Sequence, residues 1–215
     1  MNRELDINEM FFSIQGESSY IGRPCIFVRL SFCNLRCSWC DSEYTFYEGK
    51  KQSFEEIFDS LEEWPCTLVE VTGGEPLAQE NCIPFMHELC ERGYEVLLET
   101  SGSIDISRVD PRVRRIVDFK CPGSHMSASN RYNNVDELKE TDEVKFVILD
   151  RHDYEWAKQK MLEYELATKC PVIFSPVFGQ LENLELCEWI LDDGLDVRFQ
   201  VQLHKYIWEP NKRGV

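Results

Sequence analysis

No stretch of this 215-residue chain approaches the ~18 consecutive apolar residues that a membrane-spanning helix needs, so no such span is expected. The opening residues Met1-Asn2-Arg3-Glu4-Leu5-Asp6 lack the apolar core of an export signal, which points to a cytoplasmic protein. Basic residues are scarce: 23 Lys and Arg stand against 39 Asp and Glu, for a formal net charge of −16. Nucleic acid is therefore not expected as a partner, because phosphate binding needs a positive surface. Internal repeats, linkers and low-complexity tracts are also missing. Residues 1–215 read as one soluble domain, long enough to bury a substantial core.

Cysteine, by contrast, is abundant, with ten residues. Seven of them form no disulfide framework and most read as small buried apolar residues; Cys121, beside a candidate site strand, is the one to watch. The other three, Cys33, Cys37 and Cys40, have C-x3-C-x2-C spacing, which bends a short loop around one metal centre. Structural zinc sites and electron-transfer clusters take four protein ligands, and no fourth cysteine follows at motif spacing. Three thiolates on a 4Fe-4S cubane leave one iron open for the amine and carboxylate of a methionine-type ligand. An electron passed into a bound sulfonium would break a C–S bond and release a carbon radical, chemistry that the cofactor carries while the protein orients and shields. A chance triple of cysteines and a zinc knob completed by a distant histidine are the bland alternatives.

Strand and helix signals alternate around this loop. A short strand within residues 7–17 ends at Gly16, where a turn places Gln15 and Glu17; an edge hairpin would look the same. Cys25 to Ser31 reads as a buried strand carrying Arg29, whose guanidinium needs an anionic partner: a substrate carboxylate or a structural ion pair. After the cysteine loop, Asp41, Ser42, Glu43, Tyr44 and Thr45 offer oxygen ligands suited to Mg²⁺. A helix is expected over 53–63 with Ser53 as N-cap. The strand Thr67–Val71 then runs into Thr72-Gly73-Gly74-Glu75-Pro76, where two glycines admit a ligand close to the backbone and Glu75 accepts from an ammonium group. Further strands are expected at 94–99, ending in Glu99, and at 115–119, 144–149, 172–175 and 197–202. Helices are expected at 78–92, 153–168 and 181–193, and a Gly-, Ser- and Asn-rich loop at 122–134. The pattern is that of an α/β fold, a parallel sheet or partial barrel, with ligands at the C-terminal strand ends.

The cysteine motif resembles the radical S-adenosylmethionine (SAM) superfamily, with Trp39 between the last two cysteines. Taken with Ser13-Ile14-Gln15-Gly16-Glu17, Phe27-Val28-Arg29-Leu30, Thr72-Gly73-Gly74-Glu75-Pro76, Glu99-Thr100-Ser101-Gly102 and His204-Lys205, the chain resembles the 7-carboxy-7-deazaguanine synthase family from about residue 7 onward. The resemblance implies a modified, partial TIM-like radical SAM barrel, mostly parallel with reduced helices, working as a homodimer. It implies a carbon–nitrogen lyase that converts 6-carboxy-5,6,7,8-tetrahydropterin to 7-carboxy-7-deazaguanine with loss of ammonia, toward queuosine and related 7-deazapurines. A 5′-deoxyadenosyl radical would take the hydrogen at C6, and SAM would be regenerated. Cofactors would be a 4Fe-4S cluster, SAM and Mg²⁺, with an electron donor such as flavodoxin or ferredoxin.

Carried onto matching positions, Cys33, Cys37 and Cys40 would hold the cluster and Ser42 the Mg²⁺. Trp39, Cys40, Asp41 and Gly74 would line the SAM site, completed by Asp118, Phe119, Lys120 and Ser175, Pro176, Val177 and Phe178. Ile14, Gln15, Gly16, Arg29, Thr72 and Pro210 would contact the pterin, with Glu17, Glu75, Glu99, His204 and Lys205 as further candidates. Ser42 stands where threonine is typical, Asp118-Phe119-Lys120 where Ser-Pro-Lys is frequent, and Ser18 and Phe32 where the family commonly carries glycine. Five residues follow Pro210, near which shorter relatives end. Two rival functions share parts of the pattern: an activase that places a glycyl radical on a partner protein, and a non-enzymatic iron–sulfur or zinc-binding module.

Overall fold

The computed structural model describes residues 3–215. Its strands are β1 (Glu4–Ile14), β2 (Pro24–Leu30), β3 (Lys50–Ser53), β4 (Leu68–Gly73), β5 (Glu95–Thr100), β6 (Arg114–Asp118), β7 (Glu143–Ile148), β8 (Val172–Pro176) and β9 (Arg198–Phe199). They form one sheet in the order β3-β1-β2-β4-β5-β6-β7-β8-β9. Every neighbouring pair from β2 to β9 is parallel, while β1 is antiparallel to both β2 and β3. This is the α/β partial barrel, mostly parallel, that the sequence implied.

Alternation along the strands builds two separate apolar regions. Outward residues such as Val28, Val69, Val71, Leu98 and Phe146 join the main core, packed against α1 (Phe54–Glu62), α2 (Cys82–Glu91) and α3 (Arg151–Glu163). Inward residues Phe11, Cys25, Phe27, Leu68, Leu97 and Ile116 fill the bottom of the barrel. One or two residues further along the same strands, the inward positions turn polar: Arg29, Glu70, Thr72, Glu99, Asp118 and Lys145. A period of two thus gives each parallel strand an apolar foot and a polar head at its C-terminal end, where barrel sites form.

The N-cap expected at Ser53 is present as a reciprocal capping box with Glu56: the Glu56 N–H donates to Ser53 Oγ at 3.2 Å and the Ser53 N–H to Glu56 Oε2 at 2.7 Å. Elsewhere the boundaries differ from expectation. β1 is longer than expected and lies inside the sheet rather than at its edge, because the polar segment Lys50–Ser53 pairs with it as β3. Such a charged edge strand carries no apolar alternation by which a sequence could reveal it. The helix expected over 153–168 breaks at Glu165, which sits in the left-handed region, and α4 (Leu166–Lys169) restarts beyond it. The last strand shrinks to Arg198–Phe199.

Because β9 is short, the barrel closes through loop contacts instead of strand pairing. Ser18, 2% exposed and at φ 61°, donates its N–H to Gln200 Oε1 at 2.6 Å, and Gln200 Nε2 returns a bond to Ser18 O at 2.8 Å. The Leu203 N–H donates to Gly16 O at 2.9 Å. The serine standing in place of the common glycine therefore accepts a left-handed backbone, held by the Gln200 amide. Phe32, the other such position, is also left-handed at φ 73°, with its N–H donated to Thr45 O at 2.8 Å.

Candidate active site

A cavity of about 580 Å³ opens at the C-terminal ends of the parallel strands. Its wall on the loop after β2 carries Cys33, Cys37 and Cys40 together with Trp39, Asp41 and Ser42. The loop is seated by Gly73, the last residue of β4, and Gly74 just beyond it. A Cβ on Gly73 would fall 2.2 Å from Leu30 O, and one on Gly74 would fall 2.3 Å from Phe32 O and 2.7 Å from the Cys33 Cβ. The glycines thus admit the backbone of the cysteine loop, not a ligand alone. On its other side the loop docks on residues 121–124: the Ser38 N–H donates to Ser124 O at 3.2 Å and Ser38 Oγ to Gly123 O at 2.8 Å.

Glu75 does not face the cavity. It is fully buried and accepts hydrogen bonds from the Leu77 and Ser101 N–H groups and from the Thr100 and Ser101 hydroxyls. Its carboxylate is used up in tying β4 to the end of β5, so no acceptor remains for an ammonium group. Phe119, Ser175 and Pro176 are buried and lie outside the cavity wall; Phe119 stacks in the core near Tyr132 and Phe146. Asp118, Lys120, Val177 and Phe178 do line the cavity. Cys121 is buried in the core, where burial holds its thiol well above the usual range, and it carries no site role.

The pre-cluster segment and Arg29 line the same cavity. Arg29 Nε donates to Glu9 Oε1 at 2.9 Å, and the Tyr44 hydroxyl donates to the same oxygen at 2.9 Å. A register shift between Ile7 and Glu9 in the β1–β2 ladder places Glu9 opposite Arg29. The structural ion pair expected of Arg29 is present, and the residue also lines the cavity. Gln15 is 3% exposed; its Nε2 donates to Glu70 Oε2, while its Oε1 accepts the Glu17 N–H at 3.0 Å. At Gly16 a Cβ would lie 2.3 Å from His204 Nδ1, so any side chain there would push the His204 ring aside. Ile14, Thr72 and Pro210 also line the cavity, and Lys205 Nζ bonds Asp41 Oδ2 at 3.1 Å.

The residue that organises the polar floor was not found from sequence. Lys145 Nζ lies 2.8 Å from Glu17 Oε2, within hydrogen-bond reach of Glu99 Oε1, and 3.7 Å from Asp118 Oδ2. Burial alone would raise the Glu17 carboxyl, but the charge and hydrogen bond of Lys145, aided by Gln202, outweigh it and hold Glu17 down at about 2. Glu99 goes the other way: burial dominates, Lys145 opposes it, and the Glu17 charge adds to the rise. Burial also lifts Glu70 well above the usual carboxylate range, with Glu99 and Glu17 contributing. The lysine thus sits between carboxyls shifted in opposite directions. Its signal was legible in kind, a lone cation inside an apolar strand, as with Arg29.

Residues 27–149 match the Radical SAM superfamily. Over 98% of its length the chain is 49% identical to the 7-carboxy-7-deazaguanine synthase of Koribacter versatilis, covering 100% of that protein. It is 46% identical to the synthase of Chlorobaculum tepidum, over 98% of this chain and 97% of that one. The chain belongs to the 7-carboxy-7-deazaguanine synthase family. The crystal structure of QueE from Escherichia coli shares its fold, with a TM-score of 0.77 at 23% identity over 94% of this chain and 95% of that one.

Membership in the radical SAM superfamily brings a 4Fe-4S cluster and SAM. The residues present fit both. Cys33, Cys37 and Cys40 are free thiols on one cavity wall, with no other cysteine among the cavity residues. Burial pushes the Cys37 thiol up to about 11, so the thiolate form needs a metal's positive charge beside it. Among the described residues, Asp118 Oδ1 is the one buried side-chain oxygen or nitrogen without a hydrogen-bond partner. It lines the same cavity, with Oδ2 engaged by Lys120 at 2.8 Å, and an orphaned acceptor of this kind fits a hydroxyl or amine of a bound ligand.

Proposed function

We propose that this cavity converts 6-carboxy-5,6,7,8-tetrahydropterin to 7-carboxy-7-deazaguanine with loss of ammonia, as a carbon–nitrogen lyase in 7-deazapurine biosynthesis. The observation that carries the reading is that the three cysteines line one cavity of about 580 Å³ together with Arg29, Gln15 and Thr72. That space suits a small carboxylated heterocycle better than the peptide a glycyl-radical activase must seat. When bound, the cluster and SAM supply a carbon radical by reductive cleavage of the sulfonium.

The chain's own residues supply the rest. Arg29, braced by Glu9 through Nε, offers its two terminal nitrogens to the substrate carboxylate as a bidentate fork. Asp118 and Lys120 border the cysteine wall and orient the SAM side of the cavity. Ser42, whose Oγ lies 3.8 Å from Cys40 Sγ, would be the protein ligand for Mg²⁺, which would hold substrate oxygens. On this reading Glu99, whose carboxyl burial raises beside Lys145, passes a proton to the departing amine. A flavodoxin or ferredoxin is the electron source on this reading, and the cytoplasm its setting.

The test is to give the reconstituted protein, under reducing anaerobic conditions, either 6-carboxytetrahydropterin or a glycine-containing peptide, and follow both by mass spectrometry. Consumption of the pterin alone supports the reading. Hydrogen abstraction from the peptide with the pterin untouched would replace it with the activase.

A further inference from the structure

Glu70 has no part in the motifs that mark the family, yet it sits at the polar floor of the cavity. It points inward from β4, two residues before Thr72, and is 4% exposed. Its Oε2 accepts from Gln15 Nε2, whereas among the described residues none donates to its Oε1. That Oε1 is also not among the sealed, unpaired atoms, so it opens on the cavity. Phe27 pairs with Glu70 in the β2–β4 register and stacks on Phe11 with ring centroids 4.8 Å apart. A flat apolar face therefore lies beside a single carboxyl oxygen, an arrangement suited to a planar heterocycle read along one edge.

We propose that Glu70 is a specificity-determining residue that accepts an N–H from the 2-amino edge of the substrate ring. This rests on the function proposed above. A 2-amino-4-oxo ring presents adjacent N–H donors at N3 and the 2-amino group, and a carboxyl oxygen is the acceptor that selects them. A 2,4-dioxo ring of the same shape puts an acceptor where the amine was, and two acceptors cannot pair. The Gln15 amide cannot invert to compensate, because its Oε1 is committed to the Glu17 N–H at 3.0 Å and its Nε2 to Glu70. Burial and the charges of Glu99 and Glu17 raise the Glu70 carboxyl, and the N–H donors of a bound ring would favour its ionised, accepting form.

The experiment compares 6-carboxytetrahydropterin with 6-carboxytetrahydrolumazine, its 2-oxo counterpart, on the wild type and on Glu70→Gln. The wild type is expected to prefer the pterin by about 100-fold or more in kcat/KM. In Glu70→Gln the fixed Gln15 draws the new carbonyl, leaving the new NH2 to the cavity. The pterin KM should then rise about 10- to 100-fold, and the preference should narrow or reverse. Iron content and substrate-independent 5′-deoxyadenosine release should stay at wild-type levels, which a folding defect would not allow. An unchanged pterin KM and preference in the variant would overturn the proposal, as would equal use of both ligands by the wild type whatever the fate of the variant. A wild type that converts neither ligand would remove the proposed function, and this inference with it.

Discussion

Replacing Lys145 by methionine keeps the length of the side chain and removes its charge from among three carboxyls, the buried Asp118 and the part-buried Glu17 and Glu99. At an effective dielectric of about 20, attraction across the 2.8 Å to Glu17 is about 6 kcal/mol and across the 3.7 Å to Asp118 about 4.5 kcal/mol, before desolvation and carboxylate repulsion are subtracted. Removing one member of a buried ion pair costs about 3–5 kcal/mol net. Proton uptake limits the damage: a carboxyl with an unfolded value of 4.5 can be neutralised at pH 7 for about 3.4 kcal/mol. For a chain of this size the loss lowers Tm by about 6–20 °C at pH 7.

The pH dependence gives the sharper test of that argument. In the wild type Glu17 is depressed to about 2 from 4.5, so its contribution is present above 4.5 and is lost as pH falls through about 2. Without Lys145, burial and the other carboxyls raise Glu17 instead. Its effect is then destabilising at neutral pH and relieved on acidification. The Tm gap between the two proteins should be wide at pH 7, narrower by pH 4 and small only towards pH 2, measured by circular dichroism on cluster-free protein. A gap below 2 °C at pH 7, or one that persists unchanged to pH 4, would refute the assignment of Lys145 as the counter-charge.

Further outcomes follow from the same geometry. Gly74→Ala drives a Cβ into Phe32 O at 2.3 Å, backbone that cannot swing aside, so iron content after reconstitution should fall severalfold while the barrel's circular dichroism remains. Cys37→Ala should fold yet retain no intact cluster and no turnover; turnover at wild-type rate would remove the cluster assignment. Arg29→Ala should raise the KM for the carboxylated pterin by about 10- to 100-fold while the SAM dissociation constant moves less than threefold, and equal losses in both would contradict the carboxylate role. Ser18→Gly relieves a left-handed backbone but loses the bond from the Tyr20 N–H to Ser18 Oγ at 3.1 Å, so its Tm should stay within a few degrees of wild type.

Much of the architecture was legible because periodicity carries it. Val69 and Val71 alternate with Glu70 and Thr72, and the same period of two runs through β5, β6 and β7. The cysteine loop was legible because thiolate spacing is local. What was missed depends on contacts between distant segments. Lys145 and Glu70 look like solitary polar residues in apolar strands until four strands converge on them. Glu9 acquires meaning only through the irregular β1–β2 register that sets it opposite Arg29. Glu75 belongs to a motif that suggested ligand contact, but the turn that follows it encloses the carboxylate with four donors. Lys50–Ser53 pairs as an edge strand with no apolar pattern at all.

The measurement that bears most directly on the central claim is turnover with SAM held well below the substrate concentration. The reconstituted protein, with reductant, Mg²⁺ and excess 6-carboxytetrahydropterin, would be followed by mass spectrometry for product, SAM and 5′-deoxyadenosine. The account predicts many equivalents of 7-carboxy-7-deazaguanine per SAM, with SAM largely intact. Stoichiometric release of 5′-deoxyadenosine with the pterin unchanged would contradict it.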